Sequence, residues 1–150
     1  MFDCEFDMRF PVKQWLASQS YSVMVEFVLI DIVAVQYGER RGRAIPPIRE
    51  LIAVELKLHD VAGVIRQASS NLHLADKSYA AMPEQRIEAM RSDTIRKFID
   101  AGIGLLSVGE SVQVIIESRK GYGAIRDKSM RSRARTIWRR INFRKGVNDG

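Results

Sequence analysis

Cysteine is almost missing from this chain: 150 residues contain one, Cys4. A single thiol closes no internal disulfide, so packing and hydrogen bonding must hold the fold together. Histidine is nearly as scarce, with only His59 and His73. Three soft donors spread over that distance are too few for the zinc sites that Cys and His build. Long apolar runs are missing too. Asp31 and Glu55 interrupt the two greasiest stretches, and neither approaches the ~18 residues of a membrane span. The opening Met1-Phe2-Asp3-Cys4-Glu5 is acidic where a secretory leader is basic. A cytoplasmic protein with no membrane partner is therefore expected.

Acidic side chains run short in one region only. Residues 119–145 carry 11 Lys and Arg against Asp127 alone, whereas residues 1–118 carry 13 against 16 Asp and Glu. A basic extension on a mildly acidic body points to a polyanionic partner such as nucleic acid. A merely solubilising tail has the same composition. The remainder, 46% hydrophobic and 28% charged, suits one globular domain with a real core. We read residues 1–118 as that domain and 119–150 as a basic extension, either part of it or an appended helix.

In chain order, Phe10 to Gln19 reads as a helix with Pro11 in its first turn and Val12, Trp15 and Leu16 as its stripe. Tyr21–Phe27 and Val28–Gln36 read as strands, with Asp31 in the middle of the second. A loop over 37–48 holds Glu39-Arg40-Arg41-Gly42-Arg43, and the strand Arg49–Leu58 follows the Pro46-Pro47 pair. His59-Asp60 opens a helix to about Leu74, with Asp60 as cap and Val61, Val64, Ile65, Ala68 and Leu72 inward. Ser78–Met82 is a strand. One helix then runs from Pro83-Glu84 to Gly102, with Ile87, Met90, Ile95, Phe98 and Ile99 inward. Ile103–Val108 and Ser111–Glu117 form a hairpin, and Ser129–Ile141 a basic helix that Trp138 anchors.

The chemistry concentrates in Val54-Glu55-Leu56-Lys57-Leu58, the chain's only acidic-x-Lys triplet. Alternation puts Ala53, Glu55 and Lys57 on one face and Val54, Leu56 and Leu58 on the other. Charges on an otherwise apolar strand are costly unless paired or bound to an ion. Asp31, in the preceding apolar strand, supplies a second carboxylate. Two carboxylates suit a hard divalent cation, Mg²⁺ or Mn²⁺, which keeps waters and a phosphate oxygen as its other ligands. Asp31 and Glu55 would hold it with the backbone carbonyl of Leu56, and Glu26 is a further candidate ligand. Lys57 would act at the water nucleophile and Gln67 would orient water or Lys57. Arg131, Arg133, Arg135, Arg139 and Arg140 would contact phosphates, with Arg40, Arg41 and Arg43 as additional candidates.

These residues resemble the PD-(D/E)XK nuclease superfamily. The likeness lies in the element order α-β-β-β-α-β, Ile30-Asp31, Glu55-Leu56-Lys57, and Arg66-Gln67-Ala68 on the following helix. The chain is also similar to an uncharacterised bacterial family of PD-(D/E)XK-type phosphodiesterases. That similarity runs through Pro11-Val12-Lys13-Gln14-Trp15-Leu16, Asp31 to Val35, Val54 to Leu58, Ala75-Asp76 with Tyr79, and Gly102 to Leu106. It implies a restriction-endonuclease-like α/β fold: a mixed central sheet flanked by helices, with an added C-terminal helix-hairpin and basic tail. It also implies Mg²⁺-dependent hydrolysis of DNA. Ile30 stands where the motif has proline, and Asn71 where one subgroup has tyrosine. Cutting both strands of a duplex would call for a homodimer. The rival expectations are an inactive nucleic-acid-binding module of the same fold and a protein-interaction domain with a basic tail.

Overall fold

Parity along the strands sorts the core into two faces. The computed structural model describes residues 2–27, 29–39, 41–42, 44–121, 132, 134–136 and 138–140. A 3₁₀ turn (Glu5–Met8) leads into α1 (Arg9–Ser18), β1 (Ser22–Phe27), β2 (Ile30–Tyr37) and β3 (Ile48–Leu56). Then come α2 (Val61–Asn71), β4 (Lys77–Pro83), α3 (Glu84–Glu88), α4 (Ser92–Ala101), β5 (Gly104–Val108) and β6 (Val112–Ile116). Among the described residues the six strands form one sheet in sequence order. β3, β4 and β5 are parallel neighbours, while β1–β2, β2–β3 and β5–β6 pair antiparallel. The architecture is therefore α/β, a mixed sheet flanked by helices.

On one face Ile32, Ala34, Ile52, Val54 and Leu56 pack with Tyr79, Ala81, Leu106 and Val108 against Met8, Val12 and Leu16. Met8, Val12 and Leu16 recur every four residues, so a single helical stripe covers this face. Each such buried side chain stabilises the fold by roughly 1.5–3 kcal/mol. On the other face Val64 and Ala68 of α2 join Phe98, Ala80, Met82 and Leu105. Farther along that face Val33, Val35, Leu51 and Ala53 pack with Ala134. The parallel pairs carry their crossovers through α2 and through α3 with α4, so the C-terminal ends of β3, β4 and β5 share one rim.

Asp60 caps α2 as its sequence suggests, its Oδ1 accepting the Gly63 N–H at 2.8 Å. Gly102, at φ 76°, ends α4 in the left-handed conformation that glycine adopts freely. Gly104 is a close approach: a Cβ there would collide with the Tyr79 ring.

Several boundaries differ from those the sequence predicts. The single helix expected from Glu84 to Gly102 is two, because Arg91 is extended (ψ 157°) and a new first turn starts at Ser92-Asp93-Thr94. Ile99 is exposed, contrary to the sequence expectation, while Ile95 and Phe98 face inward. α2 ends at Asn71 rather than near Leu74, and β3 ends at Leu56, leaving Lys57 and Leu58 beyond it. β2 begins at Ile30, not Val28, because Leu29 turns the chain with φ 64°.

The described part of the C-terminal region docks at the far end of β2. Residues 134–136 and 138–140 are helical. Tyr37 Oη donates to the Ala134 carbonyl at 2.7 Å, and the Tyr37 and Trp138 rings meet edge-on at 5.0 Å. Trp138 does anchor this segment. At that same rim Tyr21 Oη donates to Glu50, Lys77 lies 3.9 Å from Glu50, and Asp76 accepts the Leu51 N–H at 2.7 Å. These ties fix the start of β3 to β4. No helix among the described residues is long and apolar enough to cross a membrane.

Leu29 is wholly exposed, so no packing offsets its left-handed backbone, which costs a non-glycine residue about 1–2 kcal/mol. Leu29→Gly should stabilise the fold by about 1 kcal/mol or less once glycine's greater freedom in the unfolded chain is deducted, and so raise the thermal unfolding midpoint. An unchanged or lower midpoint in a calorimetric scan would show that the turn is not strained.

Candidate functional site

The β2–β3 ladder ends at the Ile32–Val54 pair. Beyond it the Leu56 N–H donates to the Asp31 carboxylate, Oδ2, at 2.8 Å. A side chain thus replaces a main-chain acceptor where the two strands part, and it turns Asp31 towards β3. Asp31 shares parity with Val33 and Val35, and Glu55 with Ala53, so both carboxyls fall on the α2 side of the sheet. They meet within hydrogen-bonding reach of one another. Had they pointed to opposite faces, no shared site could exist.

Glu55 is 3% exposed, and Asn71, at the last position of α2, is 7% exposed. The Asn71 amide, Nδ2, donates to Glu55 Oε1 at 2.9 Å. Burial is the main force on this carboxyl and pushes its pKa up to about 7 from an ordinary 4.5. The facing Asp31 carboxyl pushes the same way, and the Asn71 N–H pulls back.

Lys57 stands one residue past β3, its N–H donating to the Ala81 carbonyl at 3.1 Å. Its ammonium lies 4.0 Å from Glu5 Oε1, in the 3₁₀ turn before α1. The structure therefore brings Asp31 to Glu55 and pairs Lys57 with Glu5. Leu56 enters the group through its N–H. Gln67 is exposed one helical turn before Asn71, and the hydrogen bond to Glu55 comes from Asn71. The amide that sequence reasoning missed carries a readable signal: positions 64, 68 and 71 form one inward stripe, so a polar residue at 71 needs a buried partner.

The Glu26 side chain, Arg40, Arg43, Arg131 and Arg133 lie outside the described residues. Arg41, Arg135, Arg139 and Arg140 are exposed. Arg135 lines a recess of 250 Å³ with Tyr37, Ile45, Pro46, Pro47 and Ile48. Tyr37 is at the opposite end of β2 from Asp31, about 20 Å away at ~3.3 Å per residue. Among the described residues no three Asp, Glu, His or Cys side chains converge as a metal cage. Two neighbouring carboxylates fit a hard divalent cation that keeps most of its waters, since a cation between them would offset the repulsion that adds to the burial penalty on Glu55.

No protein-family model, curated protein or solved structure matches the chain.

The raised Glu55 pKa sets a pH dependence. Between about pH 4.5 and 7 the folded chain holds a proton that the unfolded chain has lost. The stabilisation is complete below that window and falls as pH rises through it. Each tenfold difference in proton affinity between the folded and unfolded chain corresponds to ~1.4 kcal/mol, so the loss is at most a few kcal/mol. In chelator, the unfolding midpoint of the wild type should drop from pH 5 to pH 7.5 more steeply than that of Glu55→Gln. Parallel profiles would mean that Glu55 is not the titrating group.

Proposed function

We propose that this protein is a divalent-metal-dependent phosphodiesterase that hydrolyses nucleic acid, DNA foremost, on a restriction-endonuclease-like core. The observation that carries the reading is the contact between the Asp31 and Glu55 carboxyls at the C-terminal end of β3, with Lys57 two residues on. Ligands of open α/β sheets bind outside the carboxyl ends of the strands, where this pair lies. The order α1-β1-β2-β3-α2-β4 supports the same core.

Asp31 and Glu55 would hold Mg²⁺ or Mn²⁺, with the Leu56 carbonyl as a third oxygen. Such a cation, when bound, polarises a phosphoryl group and lowers the pKa of a coordinated water. The chain's own groups do the rest. The Leu56 N–H fixes the direction of Asp31, and the Asn71 amide fixes Glu55 through its Oε1. The Lys57 ammonium would orient the attacking water and stabilise charge growing on the phosphate oxygens. To do so it must turn from Glu5, or act while Glu5 restrains it. Arg135, Arg139 and Arg140 would give sequence-independent phosphate contacts remote from the carboxylates.

A second reading, a nucleic-acid-binding module without turnover, draws on the near-complete burial of Glu55 and the Lys57–Glu5 pairing. Incubating supercoiled plasmid with Mg²⁺ or Mn²⁺ separates the two. The wild type should nick it, and Lys57→Ala and Asp31→Asn should each be slower by about 100-fold or more, the usual scale for losing such a group. Equal nicking by all three proteins, or none while DNA is still bound, would defeat the phosphodiesterase reading.

A further inference from the structure

The C-terminal rim of the parallel strands opens onto a trough that the fold leaves unfilled. Leu58 and His59, directly after Lys57, line a recess of 270 Å³ with Pro83 at the end of β4. Val61 and Ile65 of α2 and Met90, just after α3, line a second recess of 390 Å³. Arg86 and Ala89 belong to both, so the two run into one another at α3. The larger recess is on the same side of the sheet as the carboxyl pair. Glu55 is in register with Ala80, and Ala80 packs in the core that Val64, Ile87, Met90 and Phe98 cover. The charge here is one-sided. Arg86, Arg91 and Lys97 line the larger recess and are exposed. No carboxylate lines either recess, and among the described residues none pairs with these three cations. The neighbouring acids are turned to the main chain, Asp60 to the Gly63 N–H and Asp93 to that of Thr94. Residues 1–118 carry 13 Lys and Arg against 16 Asp and Glu, so an acid-free groove departs from the balance of the body it lies in.

We infer that this trough is a docking surface for a nucleic-acid strand, with Arg86, Arg91 and Lys97 meeting its phosphates and the apolar floor of Val61, Ile65 and Met90 lying against its sugars. Nucleic acid repeats one negative charge per nucleotide with no counter-charge between, which matches a groove that holds cations and no acid. Two joined recesses suit a chain-like partner better than one small molecule. Phosphates and sugars are the same in every sequence, so the contact positions a strand without reading its bases. The inference shares only its class of partner with the phosphodiesterase reading and requires nothing of Asp31 or Glu55.

The test is fluorescence anisotropy with the full chain in chelator, using labelled duplex DNA of about 20 base pairs over a series of salt concentrations. Arg86→Ala, Arg91→Ala and Lys97→Ala should each lower the slope of log affinity against log salt by about 0.9, and the triple variant by about two to three. At about 0.1 M salt the triple variant should bind about tenfold or more weakly. Arg86→Lys/Arg91→Lys should keep the slope, since the charge is kept. Arg66→Ala/Arg96→Ala removes exposed cations of α2 and α4 that do not line the trough, and should change the slope by less than about 0.5. Every substituted side chain is exposed, and melting curves should match the wild type. No binding by the wild type, an unchanged slope in the triple variant, or an equal fall per charge in the control would overturn the inference. So would a triple variant that loses labelled polyglutamate and keeps DNA, since the partner would then be an acidic protein. Chelator makes the assay blind to cleavage. Trough-dependent binding without plasmid nicking would defeat the phosphodiesterase reading alone, and nicking with trough-independent binding would defeat the docking surface alone.

Discussion

Two carboxyl groups in contact inside a protein are an expensive arrangement, and the geometry around Asp31 and Glu55 is organised by that expense. Desolvation disfavours the charged form of Glu55, and its like-charged neighbour adds to the penalty. The compensations include the Asn71 amide and the Asp31 main-chain N–H on Glu55, and the Leu56 N–H on Asp31. All are neutral donors, and the lysine nearest in sequence is engaged with Glu5. A proton shared by the pair or a metal ion would relieve the repulsion.

The sheet decides where this happens. β2 and β3 pair as far as Ile32 and Val54 and then separate, so the carboxylates occupy the fork rather than a flat face. α2 closes the fork from one side by placing Asn71 over Glu55. The 3₁₀ turn and α1 sit on the other side, where Glu5 reaches Lys57 from beyond the strand end. The carboxyl pair and the lysine therefore answer to different helices. Movement of the segment before α1 would change the lysine without disturbing the acids.

Much of this is legible in the residues. Asp31 and Glu55 are conspicuous as charges within apolar, alternating strands, and alternation fixes their common face once the strands are neighbours. Asp60 as a cap, Gly102 as a helix end and Trp138 as an anchor follow from equally local chemistry. The break between α3 and α4 is illegible because Ile87, Met90, Ile95 and Phe98 keep a helical spacing across it. The Lys57–Glu5 pairing is illegible for another reason: it joins residues far apart in sequence across a strand end, where side-chain reach rather than periodicity decides. Gln67 is exposed on α2, and helix phase one turn later places the Asn71 amide against Glu55. The basic extension has the composition of a phosphate footprint, and its described residues dock at the rim away from the carboxylates.

Every chemical role proposed for Asp31 and Glu55 requires a cation held between them, and Mn²⁺ titration followed by electron paramagnetic resonance measures that directly. The wild type should bind one ion per chain, and both Asp31→Asn and Glu55→Gln should abolish that binding while remaining folded. Unchanged Mn²⁺ uptake in either variant, or none by the wild type at neutral pH, would contradict it.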